Sequence, residues 1–494
     1  MKPKVVLTAL RTVVVIFPIC PFRSWVSVEK DLNASKTRRP MESWDYCVVG
    51  AGCIGSAAVK YLLQLNTSSR ILVIAAGEVE EQLGSSKVYG AHYDEGRIVW
   101  TLDERSPIWA QLALASAKRF RQMEMESGIN FFTECGCLSC LDADGSMERA
   151  FINCAERAQI PLRRLSSSEY RQRFPYFSEL PAGMNALVEQ EAAGVINPRA
   201  MIRAQFRLAE EREGRATRWQ LLRDQAVRLT RSGKAWQVET MHSGRFVARK
   251  LLLCPGAFLF HLISDSSRLV AVDFRPRVAI AARIEMDEQT RLYQMMTKGS
   301  GDSSQPMPCV CYESALATQP PGSYKSTVDF YMLPPILYPD GHYYLKLGLN
   351  NRPEQYYFKD SRDAIQWYAY GNKTKIAQRE GDFLKQIARF FIPDLSTEMV
   401  KLDTCSTSVT PTQLPYIDRV EEGLYVAVGG NGSGAMAGDE IGRLAAELIS
   451  ERDIAHAFLP YGGQQPFKCK YLATQRSVDQ VQQRTSSYNL ASKV

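Results

Sequence analysis

A short apolar run, Asp45 to Val49, ends at Gly50-Ala51-Gly52-Cys53-Ile54-Gly55, and the residues that follow, Ser56 to Leu65, have the composition of a helix. Arg70 to Ala75 then reads as a second buried strand, so strand, glycine turn, helix and strand follow one another within about thirty residues. In such a turn the first glycine permits the tight bend. The second lets a pyrophosphate approach the backbone, and the third lets helix and strand pack closely. The unpaired N–H groups at the start of the helix supply positive potential to the phosphates. The pattern in this setting predicts a dinucleotide-binding βαβ unit near Trp44, with a plain glycine turn as the alternative. One part of the fingerprint departs. The second strand should end in an acidic residue for the ribose hydroxyls, yet Ile74 is followed by Ala75 and Ala76. Glu78, slightly late, is the candidate substitute, and a weaker grip on the ribose is the other reading.

A second glycine-rich junction lies almost the whole chain away. The strand Leu424 to Val428 meets Gly429-Gly430-Asn431-Gly432-Ser433-Gly434, and an Ala- and Leu-rich helix runs to about Ser450. A flavin is long and must be held at both ends, whereas a nicotinamide fold has no need of this late return. A helix N-terminus aimed at the pyrimidine carbonyl would stabilise negative charge on the reduced ring. FAD is therefore the expected cofactor.

Between the two junctions, Pro107 to Glu126 reads as a helix and Phe131 to Leu141 alternates like a strand. Pro198 opens another helix at about Arg199, with proline in its first turn. Val227 to Ala248 looks like a hairpin turning at Ser232-Gly233, followed by a strand at Leu251 to Leu253 and Pro255-Gly256-Ala257. Residues 270 to 400 are strand-rich, break around 299–323, and become helical from Asp360 to Phe391.

Composition narrows the function classes. Apolar content of 45% and charged content of 23% are those of a globular protein with a sizeable core. The net charge of +7 is spread along the chain rather than banded, so no nucleic-acid partner is indicated. The 12 cysteines are dispersed, and the groups Cys135, Cys137, Cys140 and Cys309, Cys311 match no standard zinc spacing; buried strand cysteines are the plainer reading, and no metal is expected. Only 5 histidines exist, none in a nucleophile or metal motif, which leaves hydrolase and metalloenzyme readings without support. At the N-terminus Lys2, Lys4, Arg11 and Arg23 precede any acidic residue. The apolar run Thr12 to Phe22 is too short to span a bilayer and is interrupted by Pro18 and Pro21. It reads as a targeting segment: secretory, organellar, or absent if translation starts at Met41. The expectation is an organellar address, mitochondrial or peroxisomal, or a cytoplasmic one from Met41. Ser492-Lys493-Val494 is close to the peroxisomal Ser-Lys-Leu signal but departs in its last residue.

Several segments, by order and spacing, carry a family resemblance: GAGCIGSAA at 50, HYDEGRIV at 92, GVINPRAMIRA at 194, LLLCPGAF at 251, FYMLPP at 330, YLKLG at 344, CSTSVTP at 405 and GLYVAVGGNGSGA at 423. From about Asp45 to Ser450 the chain resembles the D-amino-acid-oxidase superfamily, and within it the monomeric sarcosine oxidase and N-methyl-amino-acid oxidase branch. The resemblance implies cofactor contacts at Gly50, Ala51, Gly52, Ile54, Gly55, Val227, Gly256, Cys405, Gly430, Asn431, Gly432 and Gly434. Lys346 matches the family lysine that sits over the flavin and activates oxygen, a role in which a cation stabilises superoxide as it forms. A solvated strand lysine is the alternative. Cys405, six residues before Pro411, has the spacing of the family cysteine attached covalently to the flavin; an ordinary buried cysteine is the alternative. Arg97 matches the arginine beside the ring, although the segment from His92 carries one extra residue, and a surface salt bridge is the alternative. Tyr331 falls where the family has an active-site tyrosine.

The departures bear on substrate. An arginine and a lysine clamp the substrate carboxylate in the sarcosine oxidases, and the corresponding positions are Trp100 and Met436; a family histidine corresponds to Asn350. Without two cations the charge-assisted bonds that would hold a small amino acid are gone, which points to a larger, more apolar amine or a carboxylate held elsewhere. The implied reaction is oxidation of a C–N bond of an amine or N-substituted amino acid to an imine, with O2 reduced to H2O2. A flavin dehydrogenase, a tailoring oxidase of a larger metabolite and a non-catalytic flavoprotein scaffold remain as alternatives. The implied fold is α/β plus β, with a Rossmann-like, discontinuous FAD-binding domain (43–125, 190–270, 400–455) and an inserted antiparallel-sheet substrate domain (126–189, 271–399). Residues 1–42 would be an extension and 456–494 a tail. A monomer acting on a small amine and O2, without an integral membrane span, is the expected working form.

Overall fold

Tyr46 to Val49 lacks polar alternation, and a strand of that kind must be covered on both faces. These residues end β1 (Ser43–Val49), where Cys47 and Val48 are wholly buried. The computed structural model describes residues 43–65, 68–76, 90–103, 106–213, 218–262, 271–299, 304–315, 328–350, 367 and 374–472. Residues 1–42, Glu78, all of 360–373 but 367, and the last three residues lie outside them. β1 pairs in parallel with β2 (Ile71–Ala75) on one side and β12 (Arg245–Leu253) on the other, and β9 (Trp219–Arg223) extends the parallel set beyond β2. β10 (Ala226–Ser232) and β11 (Ala235–Thr240) form a meander with the first half of β12. The second half pairs in parallel with β19 (Leu424–Val428), which in turn pairs with β18 (Tyr416–Glu421). The sequence separates the hairpin ending at Ala248 from a strand at Leu251. They are one strand, because β12 keeps its ladder to β1 from Val247 to Leu253 while its other partner changes from β11 to β19.

Alternation within β1 builds two cores. Tyr46 and Val48 pack under α1 (Cys53–Leu65), α2 (Pro107–Ser127), α5 (Pro198–Glu213) and α8 (Gly434–Ser450), whereas Cys47 and Val49 face Trp236, Val238, Leu259 and Phe274. α2 starts where the sequence predicts. The Ser106 side chain accepts from Ile108 N at 3.2 Å and Pro107 occupies the first turn, where its missing N–H costs nothing.

The second sheet has the order β17 (Val400–Val409), β13 (Arg275–Met286), β16 (Tyr343–Leu349), β15 (Val328–Leu337), β14 (Cys309–Ser314), β5 (Cys137–Asp142), β7 (Met184–Glu189), β6 (Leu162–Leu165). It is antiparallel except at the β5–β14 pair. One face is sealed by side chains from α4 (Ser167–Arg173), α6 (Arg291–Lys298) and α7 (Lys375–Phe391). α3 (Ser146–Ala158) covers Leu141 and Leu187. β17 is an edge strand of this sheet, although the sequence groups 400–455 with the cofactor-binding segments.

A three-stranded sheet, β3 (Arg97–Val99), β8 (Gly194–Ile196) and β4 (Phe132–Thr133), completes the strands. The single strand expected over Phe131 to Leu141 is therefore two, β4 and β5, in different sheets. Gly136, at φ +78, turns the chain between them, and its N–H bonds Ala193 O at 3.0 Å. Residues 456–472, expected as part of a tail, pack on the body through the end of α9 (Ile454–Phe458) and through Tyr461, Phe467 and Cys469, the last three buried. Among the described residues no helix is long and apolar enough to cross a membrane.

Candidate active site

Strand periodicity sorts the second sheet into a core face and an open face. Along β16, Leu345, Leu347 and Leu349 point into the core, so Lys346 and Gly348 point the other way. Register carries that face across neighbouring strands. Lys346 lies between Arg283 on β13 and Leu333 on β15, and Gly348 lies between Ala281 and Tyr331. Cys405 sits opposite Ala279 on the same face. Beyond β16, Asn350 donates its amide to Asp329 Oδ1 at 2.8 Å. Lys346, Tyr331, Cys405 and Asn350, distant in sequence, thus share one surface.

The loop before β3 lies on that surface. Gly96 of this loop faces the Ile336 and Leu333 side chains of β15. Asp94 in this loop gathers the charges. Its carboxylate accepts from Lys346 Nζ and Arg97 Nη1, from Tyr338 Oη at 2.8 Å and from Glu95 N at 2.8 Å. Lys346 Nζ also donates to Gly96 O at 3.0 Å, and Arg97 Nη2 to Ala91 O at 2.9 Å. Lys346 is 0% exposed. Burial and the Arg97 charge lower its pKa, and Asp94 opposes them. The Asp94 carboxyl is held well below the usual range: burial would raise it, but the two cations and the Tyr338 hydroxyl outweigh that. Arg97 is thus held in a half-buried ion pair with Asp94, on the loop that lies against the sheet.

The first glycine junction faces this assembly. Gly50 has φ +94, and a side chain there would strike the Cys254 carbonyl; one at Gly55 would strike the Gly50 carbonyl. At Gly52 the nearest neighbour to an added Cβ is the flexible His92 imidazole at 3.2 Å, so this glycine keeps the turn open toward the site. No acidic residue occupies the first turn of α1. Burial, with Arg97 and Arg199 nearby, lowers the His92 pKa to about 4, so its ring is neutral at ordinary pH. Val227 is the bulged residue where the β10–β11 register shifts, so its backbone groups are released from the ladder. Ala51 and Ile54 lie half-buried in the turn, and Gly256 (φ +59) follows β12.

The second junction lies one helical turn further out. Gly438 of α8 packs on Cys53 of α1, and Gly442 on Ala57, so the two helices run parallel and close. α8 begins four residues before Gly438, which by a rise of about 1.5 Å per residue carries its N-terminus roughly 6 Å past that of α1. Asn431, at φ +48, accepts from Thr410 N at 2.9 Å and donates to Gly429 O at 2.6 Å, so its side chain braces the loop. The Arg277 guanidinium stands beside Gly432. Gly430 and Gly434 complete the turn.

Of the substrate positions, Trp100 is half-buried against both the first core and the patch of Cys137, Cys309, Cys311 and Leu333, and its indole N–H has no partner among the described residues. Met436 is buried in the first core, against which Trp100 packs. Sequence reasoning missed Asp94, His92 and Arg277. The first two lie inside the quoted HYDEGRIV segment, but nothing local reveals their partners; Arg277 carried no signal.

Two glycine cradles, a freed backbone at Val227 and a cationic sheet face fit a long anionic dinucleotide with a redox-active ring. Residues 45–448 match the family described as FAD dependent oxidoreductase. The chain belongs to that family. As an FAD dependent oxidoreductase it is an enzyme with FAD as cofactor, as its sequence implies. It is 21% identical over 421 residues to monomeric sarcosine oxidase of Arthrobacter sp. (strain TE1826), covering 84% of this chain and 95% of the relative. It is 24% identical over 149 residues to N-methyl-L-tryptophan oxidase of Yersinia pestis (strain Pestoides F), 30% of this chain and 38% of that one. Among solved structures of the fold, NikD, described as an unusual amino acid oxidase essential for nikkomycin biosynthesis, superposes with TM-score 0.64 at 18% identity, covering 88% of this chain and 99% of its own. L-proline dehydrogenase from P. horikoshii gives 0.60 at 16%, with 87% and 98% covered.

Proposed function

We propose that this FAD dependent oxidoreductase oxidises the C–N bond of an apolar amine or N-substituted amino acid to an imine and passes the electron pair to O2, giving H2O2. Bound FAD would supply the hydride acceptor. The observation that carries the reading is Lys346, fully buried on the face of the second sheet that also carries Tyr331 and Cys405, with Arg97 bound to the same Asp94 carboxylate. A buried cation there costs desolvation and repays it by stabilising negative charge that develops on oxygen. The α1 and α8 N-termini and Arg277 would balance charge on the cofactor, and Cys405 is its proposed covalent anchor. The relatives' names, sarcosine oxidase and N-methyl-L-tryptophan oxidase, support C–N oxidation. Trp100 and Met436 in place of cations support an apolar substrate end, with the free indole N–H available to an acceptor. Working as a monomer, and in an organelle by way of residues 1–42, belong to the same proposal.

A panel of secondary amines and N-methyl amino acids, read by peroxide release, identifies substrates. Lys346→Met is then expected to leave anaerobic reduction by substrate within a few-fold and to slow reoxidation by O2 about a hundredfold, the scale of losing one preorganised charge donor. A variant that reoxidises at the wild-type rate would sink the assignment.

A further inference from the structure

Lys346 raises a difficulty that its own strand does not solve. A fully buried lysine sheds its proton readily, and Arg97 beside it pushes the same way. Every element packed against it contributes a charge or a dipole. Arg97 comes from β3, and Asp94 and the Gly96 carbonyl from the loop before it. Arg283 comes from β13, paired with Asp403 of β17 at 2.7 Å. Tyr338 follows β15, Tyr331 covers Gly348, and Cys405 and His92 lie near Arg97. Of these, Asp94 alone contacts both cations. It is 8% exposed and receives Lys346, Arg97, the Tyr338 hydroxyl and two backbone N–H groups, Glu95 N at 2.8 Å and Gly96 N at 3.4 Å. That saturates the roughly four lone-pair sites of a carboxylate and fixes it as an anion.

We infer that Asp94 is a positioning residue, the counter-ion that keeps Lys346 an ammonium on the open sheet face and locks Arg97 in place beside it. The inference rests on the Lys346 reading above and deepens it. With Asp94 charged, the three groups sum to one positive charge while both cations persist. An ammonium has three N–H bonds; two of Lys346's go to Asp94 and Gly96, and among the described residues the third has no partner, leaving a donor for oxygen. Without the Asp94 charge the same net positive charge is reached by losing the Lys346 proton, and the donor is lost with it.

Asp94→Asn, Asp94→Glu and Lys346→Met separate the possibilities. Two quantities are followed from about pH 6 to about pH 9: the rate at which substrate-reduced enzyme is reoxidised by O2, and the melting temperature of the holoenzyme. In Asp94→Asn, reoxidation is expected to fall about a hundredfold at the alkaline end and to recover as acid restores the Lys346 proton, with substrate reduction little changed. The melting deficit is expected to shrink as pH rises, because a buried neutral lysine stabilises the fold above its lowered pKa and costs stability below it. Asp94→Glu should restore both profiles. A loss equal at every pH, or wild-type reoxidation, overturns the inference. If Lys346→Met is slow while Asp94→Asn behaves as wild type, the inference alone fails; if Lys346→Met reoxidises normally, the Lys346 reading fails with it. Should Asp94→Asn not fold, the wild-type profile decides: a flat rate is expected, and a rise on acidification overturns the proposal.

Discussion

Glu189, on β7, is a buried acid with no cation paired to it among the described residues. It is 2% exposed and accepts from Thr101 N at 2.9 Å and from the Thr101 hydroxyl. Burial raises its carboxyl to about 7, with the Thr101 bonds pulling the other way. A folded pKa above the unfolded value of 4.5 means that the fold is favoured while the group keeps its proton and loses stability as pH rises through about 7. Glu189→Gln, which keeps the shape and stays neutral, is expected to flatten the dependence of melting temperature on pH between about 4.5 and about 7; an unchanged slope would place that dependence elsewhere. Legibility at this scale was uneven for a physical reason. Lys346 and Cys405 could be found because each sits in a recognisable local segment. Asp94 could not be given a role, because the lysine it holds is 252 residues away and only folding makes them neighbours.

Among the elements, the decisive pair is α1 and α8. Gly438 and Gly442 present no side chain to Cys53 and Ala57, so the helices close to backbone distance and run parallel, with both N-termini at the same end. A buried polar network ties them together. Lys60 Nζ meets Asp439 Oδ1 at 2.6 Å, and Asp439 Oδ2 takes Tyr61 Oη at 2.9 Å and Arg119 Nε at 2.8 Å. Lys60→Met would leave a fully buried carboxylate without one of its two cations, with Arg119, Tyr61 and Gln205 as its remaining partners. The expected cost is about 3–5 kcal/mol in chemical denaturation, accompanied by weaker FAD retention, whereas a loss below about 1 kcal/mol would show that Arg119 suffices alone. The sequence marks each helix by its composition, but nothing local to α8 shows that Gly438 and Gly442 are where α1 packs.

For the whole molecule, the proposed cofactor would have to reach both sheets. The glycine cradles belong to the first sheet, while Cys405 and Lys346 belong to the second. If Cys405 carries the proposed flavin bond, acid precipitation of the holoenzyme should leave the yellow colour in the pellet, and Cys405→Ser should release it to the supernatant. A wild-type protein that releases its flavin would leave Cys405 as a half-buried strand cysteine.

The chain by itself determined what depends on near neighbours: the βαβ start, the glycine turns at both ends, most strand and helix positions, and through them the cofactor. Those follow from backbone sterics and from apolar periodicity, which act over a few residues. It misplaced the break between β4 and β5 and the continuity of β12, because both are settled by which strands lie alongside. Only the tertiary structure decided that Asp94 faces Lys346, that Glu189 is buried with no cation paired to it among the described residues, and that Trp100 keeps an unpaired indole N–H. Burial and charge pairing are properties of position in space, and alternation along β16 shows which residues face the site without showing what faces them.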